Sequence, residues 1–108
     1  MDRFEIATLR SYYGNLLTDR QNEMIRLRYD EDLSFGEIAE ECGVSRQAVL
    51  DGLNKGVKHL EEIADALQLV ERDARIITAL KELESKIESG DKEGALKCIS
   101  EVREILED

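Results

Sequence analysis

Proline and tryptophan are absent from this 108-residue chain, aromatic residues make up 5%, and there are one histidine and two cysteines. With no proline, no position is barred from a helix by ring clash or a missing amide. No apolar run approaches the roughly 20 residues that a membrane-spanning helix needs. The opening MDRFEIATLRSYYG has acids within its first five residues and no apolar stretch, unlike a secretory signal, so a cytoplasmic protein with no membrane contact is expected. Cys42 and Cys98 are isolated, with no Cys or His at metal spacing, which points to two small apolar thiols, no metal and no cofactor. His59 has no second candidate base to build a triad with. Gly52 and Gly56 lie in a helical pattern rather than after a strand, so they form no phosphate loop. Glu40-Glu41 and Glu61-Glu62 are adjacent and diverge on a helix, so neither pair makes an acid-base couple. No enzyme and no small-molecule substrate are expected.

What is present is charge, 37% of residues, and apolar side chains, 42%, spaced for helices. The net charge of -10 opposes non-specific coating of nucleic acid. Its distribution is uneven. Residues 31–44 hold five acids and no base, and residues 61–108 hold fourteen acids against seven bases. Between them, residues 45–60 carry Arg46, Lys55 and Lys58 against Asp51, a short net-basic window.

The pattern predicts an all-α chain. Phe4, Ile6, Leu9, Tyr13, Leu16 and Leu17 recur near a 3.6 period, a first helix over 3–17. Thr18-Asp19-Arg20-Gln21 reads as a capping box that opens a second helix, ending near Tyr29. Ser34-Phe35-Gly36-Glu37 is a second capping box, and Gly43 a helix stop. Ser45 is a third N-cap, with the next helix starting at Arg46. From there the apolar positions fall in heptads. Leu53, Leu60, Leu67 and Ala74 form one set, and Gly56, Ile63, Val70 and Ile77 the other. The pattern leaves open whether one long helix or two occupies 46–89. It equally leaves open whether this stripe packs between chains or is filled by the C-terminal helix of the same chain. Leu53, Leu60, Ile63, Leu67, Val70 and Ile77 are the candidate dimerisation residues, and a homodimer is expected. Ser89-Gly90-Asp91 separates a last helix over about 92–107, with Ala95, Leu96, Ile99, Val102, Ile105 and Leu106 on one face. The expected division is a domain over 1–64 and a helical region over 65–108.

Residues 34–53, SFGEIAEECGVSRQAVLDGL, have the layout of a helix-turn-helix. Ala39 is small where two helices approach, Gly43 sits in the turn, Val44 plugs the corner, and Val49 and Leu53 seat the second helix. In such units the start of the second helix enters the major groove. Here that start is Ser45, Arg46 and Gln47: serine suits a phosphate, arginine pairs bidentately with guanine and glutamine with adenine. Lys55 and Lys58 follow at positions suited to flanking phosphates. Ser34, Ala48 and Asn54 complete the candidate DNA-binding set.

Beyond the bare layout, Tyr13 through Glu62, with NLLTDRQ, the tyrosine of RYDEDLS, GEIAEECGVSRQAV and the LEE at 60–62, resembles the YlxM-like family of helix-turn-helix proteins. Its DNA-binding half is similar to the fourth region of bacterial sigma factors. The resemblance covers about half the chain. It implies a small bacterial regulator that binds double-stranded DNA, linked to the signal recognition particle pathway and its proteins, and not an enzyme. An adaptor of the targeting GTPase machinery without DNA binding is the alternative it leaves. The chain departs from sigma-like readers at Ala48, where they usually carry a base, and at Leu50, Asp51 and Gly52, which bring little polarity or the wrong sign to the groove.

Overall fold

The computed structural model describes residues 1–107. Among them every regular element is helical: α1 (Arg3–Tyr13), α2 (Asp19–Ile25), α3 (Phe35–Cys42), α4 (Arg46–Leu67), α5 (Leu69–Glu88) and α6 (Lys92–Glu107). A 3₁₀ turn, Gly14–Leu16, follows α1, and a π turn, Arg26–Asp30, continues α2. The chain forms two compact units, the first over Met1–Leu67 and the second from Gln68 onward.

Local chemistry accounts for most boundaries in the first unit. The Asp2 carboxylate accepts from the Glu5 amide and starts α1. At α2 the Thr18 hydroxyl accepts from the Gln21 amide while the Thr18 amide donates to the Gln21 side chain. Ser34 and Glu37 exchange the same two bonds at α3, so both expected capping boxes form. Gly43 ends α3 at φ 65°, and the Val44 amide closes back on the Ala39 carbonyl, the geometry that favours glycine. The first and second helices are shorter than expected: the Leu17 amide bonds Gly14, and the Glu31 amide bonds Arg26 five residues back. Ion pairs from α1 hold the turn after α2, Arg10 to Asp30 at 2.6 Å and Arg3 to Asp32 at 3.2 Å.

The core of this unit places Ile6, Tyr13, Met24, Ile25, Ile38, Val49, Leu53 and Leu60 out of solvent. Phe4 and Leu16, expected inward with α1, are 77% and 56% exposed, so the inward stripe is narrower than the 3.6 period implied. α4 packs against α1, α2 and α3. Its two glycines let α2 come close: a Cβ at Gly52 would sit 2.6 Å from the Met24 sulfur, and one at Gly56 would sit 3.0 Å from Ile25 Cδ1. The helical cost of roughly 1 kcal/mol per glycine is offset by that approach.

The helix carrying the heptads does not run through. α4 stops at Leu67, Gln68 adopts φ 51°, and α5 begins at Leu69. The candidate dimerisation residues over 53–77 therefore fall on two helices and differ in exposure. Leu53 and Leu60 are 4% and 0% exposed within the first unit, so they leave nothing for a second chain to cover. Ile63 and Val70 are half-buried, while Leu67 and Ile77 are about half exposed on separate helices.

The second unit is an α5–α6 hairpin. Gly90, at φ 76°, makes its turn, the Asp91 amide returns to the Lys86 carbonyl, and the Asp91 side chain caps α6 by accepting from Gly94. Its buried residues are small: Ala79, Ala95 and Cys98. The expected single apolar face of α6 divides. Val102 and Ile105 turn partly inward, while Leu96, Ile99 and Leu106 stay exposed.

Candidate nucleic-acid interface

The structure brings the expected recognition residues together at the start of α4. Ser45, Arg46 and Gln47 are exposed, Ala48 is half-buried, and Asn54, Lys55 and Lys58 are exposed further along. The Ser45 hydroxyl accepts from the Ala48 amide at 3.1 Å, and its carbonyl takes the Val49 amide. The serine keeps its own hydroxyl hydrogen to donate. The amides of Arg46 and Gln47, at the first two helical positions, point out of the helix without intrahelical acceptors.

Electrostatics distinguish this helix end from the rest. Each of the other described α-helices has an acid in its first turn: Glu5, Asp19, Glu37, Glu71 and Glu93. The first turn of α4 has none. Its partial positive charge is therefore not neutralised from within. At α3 the reverse holds. The Ser34 amide, then the Ser34 hydroxyl, hold the Glu37 carboxyl below its ordinary range, so a carboxylate already occupies that helix end. Ser34 is exposed but stands beside this charge, a poorer place for a phosphate than Ser45.

Of the cations elsewhere in the first unit, all but Arg20 are occupied. Arg3, Arg10 and Arg26 pair with Asp32, Asp30, Glu23 and Glu31, and Arg28 lies 4.5 Å over the Phe35 ring and donates to the Leu33 carbonyl. Among the described residues of the first unit, Arg46, Lys55 and Lys58 of α4, with Arg20 of α2, make no ion pair, side-chain hydrogen bond or ring contact. The Arg46 side chain reaches back over the first turn of α3, where a Cβ on Gly36 would meet its Nη2 at 2.9 Å. Gly36 thus leaves room for the arginine, a role that capping-box logic does not disclose.

The outward stripe of α4 is Gln47, Asp51, Asn54 and Lys58, at steps of four, three and four residues. Asp51 stands within it, and Gln47 Nε2 donates to its carboxylate at 3.2 Å. The glutamine retains its carbonyl oxygen and a second N–H. Sequence spacing placed Asp51 on this face but gave no sign of its bond to Gln47.

The second unit holds a constellation drawn from two helices and therefore invisible to local spacing. The Cys98 sulfur and the carboxylates of Glu82 and Glu101 lie within 4.8 Å of one another. Glu82 and Glu101 are exposed, and the set lacks the four thiolate or imidazole donors of a structural zinc site. It lies along a charge-rimmed groove that continues past Arg75, Thr78 and Glu104. Cys42 and Cys98 are free thiols, half-buried and buried.

The model of the family described as "Putative helix-turn-helix protein, YlxM / p13 like" matches residues 1–101. The chain belongs to this YlxM / p13-like family. A relative named UPF0122 protein from Desulforamulus reducens is 41% identical over 107 residues, covering 95% of this chain and 92% of its own. UPF0122 relatives from Symbiobacterium thermophilum and Bacillus cereus are 39% and 40% identical over 98 and 99 residues, with 91% and 89% of this chain covered and 92% and 88% of theirs. The YlxM / p13-like family match spans both units, including the C-terminal hairpin that the sequence motifs left outside the resemblance. No helix among the described residues is long and apolar enough to cross a membrane.

Proposed function

We propose that this protein is a sequence-specific DNA-binding regulator of transcription, acting as a homodimer, with α4 as the reading helix. The observation that carries this reading is the start of α4: a first turn free of acid, capped by Ser45, with Arg46 unpaired beside it. The Arg46 and Gln47 amides and the Ser45 hydroxyl cradle a backbone phosphate at the positive helix end. Gln47 and Asn54 then face base edges, where either amide pairs with adenine, and Arg46 swings from α3 to guanine. Lys55 and Lys58 meet flanking phosphates. Two copies place two such helices on successive turns of a duplex.

Fluorescence anisotropy on duplexes from bacterial promoter upstream elements, over a salt series, tests this. Two phosphate-facing lysines per chain, four per dimer, give a slope of log affinity against log salt of about -4. Arg46→Ala lowers specific affinity by about 1–3 kcal/mol. Absence of saturable binding at low salt, or an Arg46→Ala variant that binds as the parent does, overturns the reading.

A second reading rests on α3, whose Glu37, Glu40 and Glu41 are exposed with no cation on that helix. Such a surface suits a basic protein partner, and the signal recognition particle GTPase is the one the family setting indicates. Capture of that GTPase by the intact chain, released by moderate salt and weakened by Glu40→Lys, favours this adaptor role.

A further inference from the structure

An α-helical hairpin whose buried residues are Ala79, Ala95 and Cys98 has little core of its own. Its larger side chains lie outside: Ile77, Leu80 and Ile87 on α5, and Leu96, Ile99 and Leu106 on α6, each between 42% and 65% exposed. On α5 they follow the order 77, 80, 87, and on α6 the order 96, 99, 106, so the two helices repeat one spacing. One charged residue completes each row at the equivalent place, Glu84 on α5 and Arg103 on α6. The groove through Arg75, Thr78, Glu82 and Glu101, floored by Ala74, Ala79 and Ile105 and rimmed by charged side chains, occupies one face of the hairpin. Counting round each helix at 3.6 residues per turn puts both rows on the opposite face. The hairpin thus carries a charge-rimmed groove on one side and is apolar on the other.

We propose that this apolar face is the dimerisation surface, and that its occupant is the same face of a second copy of this chain, giving a four-helix arrangement. The proposal deepens the homodimer of the reading above and rests on it. The six side chains expose together roughly 500 Å² of apolar surface, toward the upper end of the largest patch a monomer usually leaves, a size that often marks a functional surface. Two such patches with their polar margins reach about 1,200 Å², the lower end of the range for stable interfaces.

The charges fit a two-fold axis. The approach of Glu82 and Cys98 sets the register of the antiparallel hairpin, in which each step up α5 is a step down α6. Glu84 then lies at the level of residue 96, and Arg103 at the level of residue 77. The midpoint between them falls near Leu80, which is also the middle of the apolar patch. A two-fold axis through that point, lying in the face and running diagonally to the helices so that the two hairpins cross, brings Glu84 of each copy against Arg103 of the other, twice per dimer. Among the described residues Arg103 makes one long ion pair, 3.9 Å to Glu107, with both side chains about 70% exposed. Such a pair is weak and yields readily to a closer one. Among the described residues Glu84 has no ion pair.

Sedimentation of the full chain without DNA, over roughly 1 to 100 µM, is the test. The parent sediments as a dimer. Leu80→Glu and Ile99→Glu sediment as monomers with unchanged far-UV dichroism, since both positions are already exposed. Glu84→Arg raises the dimer dissociation constant about tenfold by setting like charges together, and Glu84→Arg with Arg103→Glu recovers most of it. A monomeric parent, a dimer indifferent to Leu80→Glu, or charge variants whose losses add instead of cancelling would each overturn the proposal. Because no DNA is present, these outcomes are separate from the DNA reading: monomeric variants that still bind a half-site leave that reading standing.

Discussion

Asp51 is the acid in the outward stripe of α4, and on the proposed reading its charge opposes the duplex. It stands in the outward stripe and holds Gln47, so it both repels phosphate and orients an amide. Unit charges about 4 Å apart in water interact by about 1 kcal/mol, so Asp51→Asn raises overall DNA affinity by about fivefold. Its bond to Gln47 separates two roles. If Asp51 orients the glutamine, Asp51→Asn gains affinity for all duplexes while losing preference between them. Paired titrations against a preferred and a scrambled duplex read both quantities at once. Burial at Leu60 is complete, and Leu60→Ala costs about 2–5 kcal/mol in denaturant unfolding of the first unit. That loss marks Leu60 as a core residue, since a residue at a subunit contact would lose association first.

At the level of elements, capping chemistry was the most legible feature. Thr18, Ser34, Ser45, Gly43 and Gly90 act where their side chains or backbone freedom require, because a cap depends on three or four neighbouring residues. The break at Gln68 was not legible. No glycine or proline marks it, and the heptads continue across it, yet the backbone turns left-handed there. A non-glycine residue at that φ carries about 1 kcal/mol of strain, so Gln68→Gly stabilises the chain by up to about 1 kcal/mol in thermal unfolding. The two capping boxes also differ in pH response. At α2 the reciprocal group is Gln21, which does not titrate. At α3 it is Glu37, whose carboxyl is held below its ordinary value of 4.5 by the Ser34 amide and hydroxyl. A depressed carboxyl contributes fully above its unfolded value and loses that contribution as pH falls through the folded one. Glu23, lowered chiefly by its hydrogen bond from Arg26, behaves the same way. The melting temperature therefore falls as pH drops below about 4.5, and Glu37→Gln makes that fall shallower while keeping the cap. Equal pH profiles for the two chains would contradict the assignment.

For the whole molecule, the sum of charges and the placement of charges point in different directions. The net charge of -10 describes a chain that repels nucleic acid, yet the first turn of α4 holds no acid, and the acids of that helix, Asp51, Glu61, Glu62 and Asp65, follow further along it. The helix-turn-helix was readable because it is built from near neighbours. The hairpin face was not, because which side of α6 turns outward depends on how α5 packs against it; Leu96, Ile99 and Leu106 looked like core and lie exposed. The central claim is that the polar start of α4 meets duplex DNA. Amide chemical-shift mapping during titration with promoter duplex tests it residue by residue. Contact through α4 shifts the amides of Ser45, Arg46, Gln47 and Asn54 first and most. Shifts confined to Glu37, Glu40 and Glu41, or none at all at saturating duplex in low salt, contradict it.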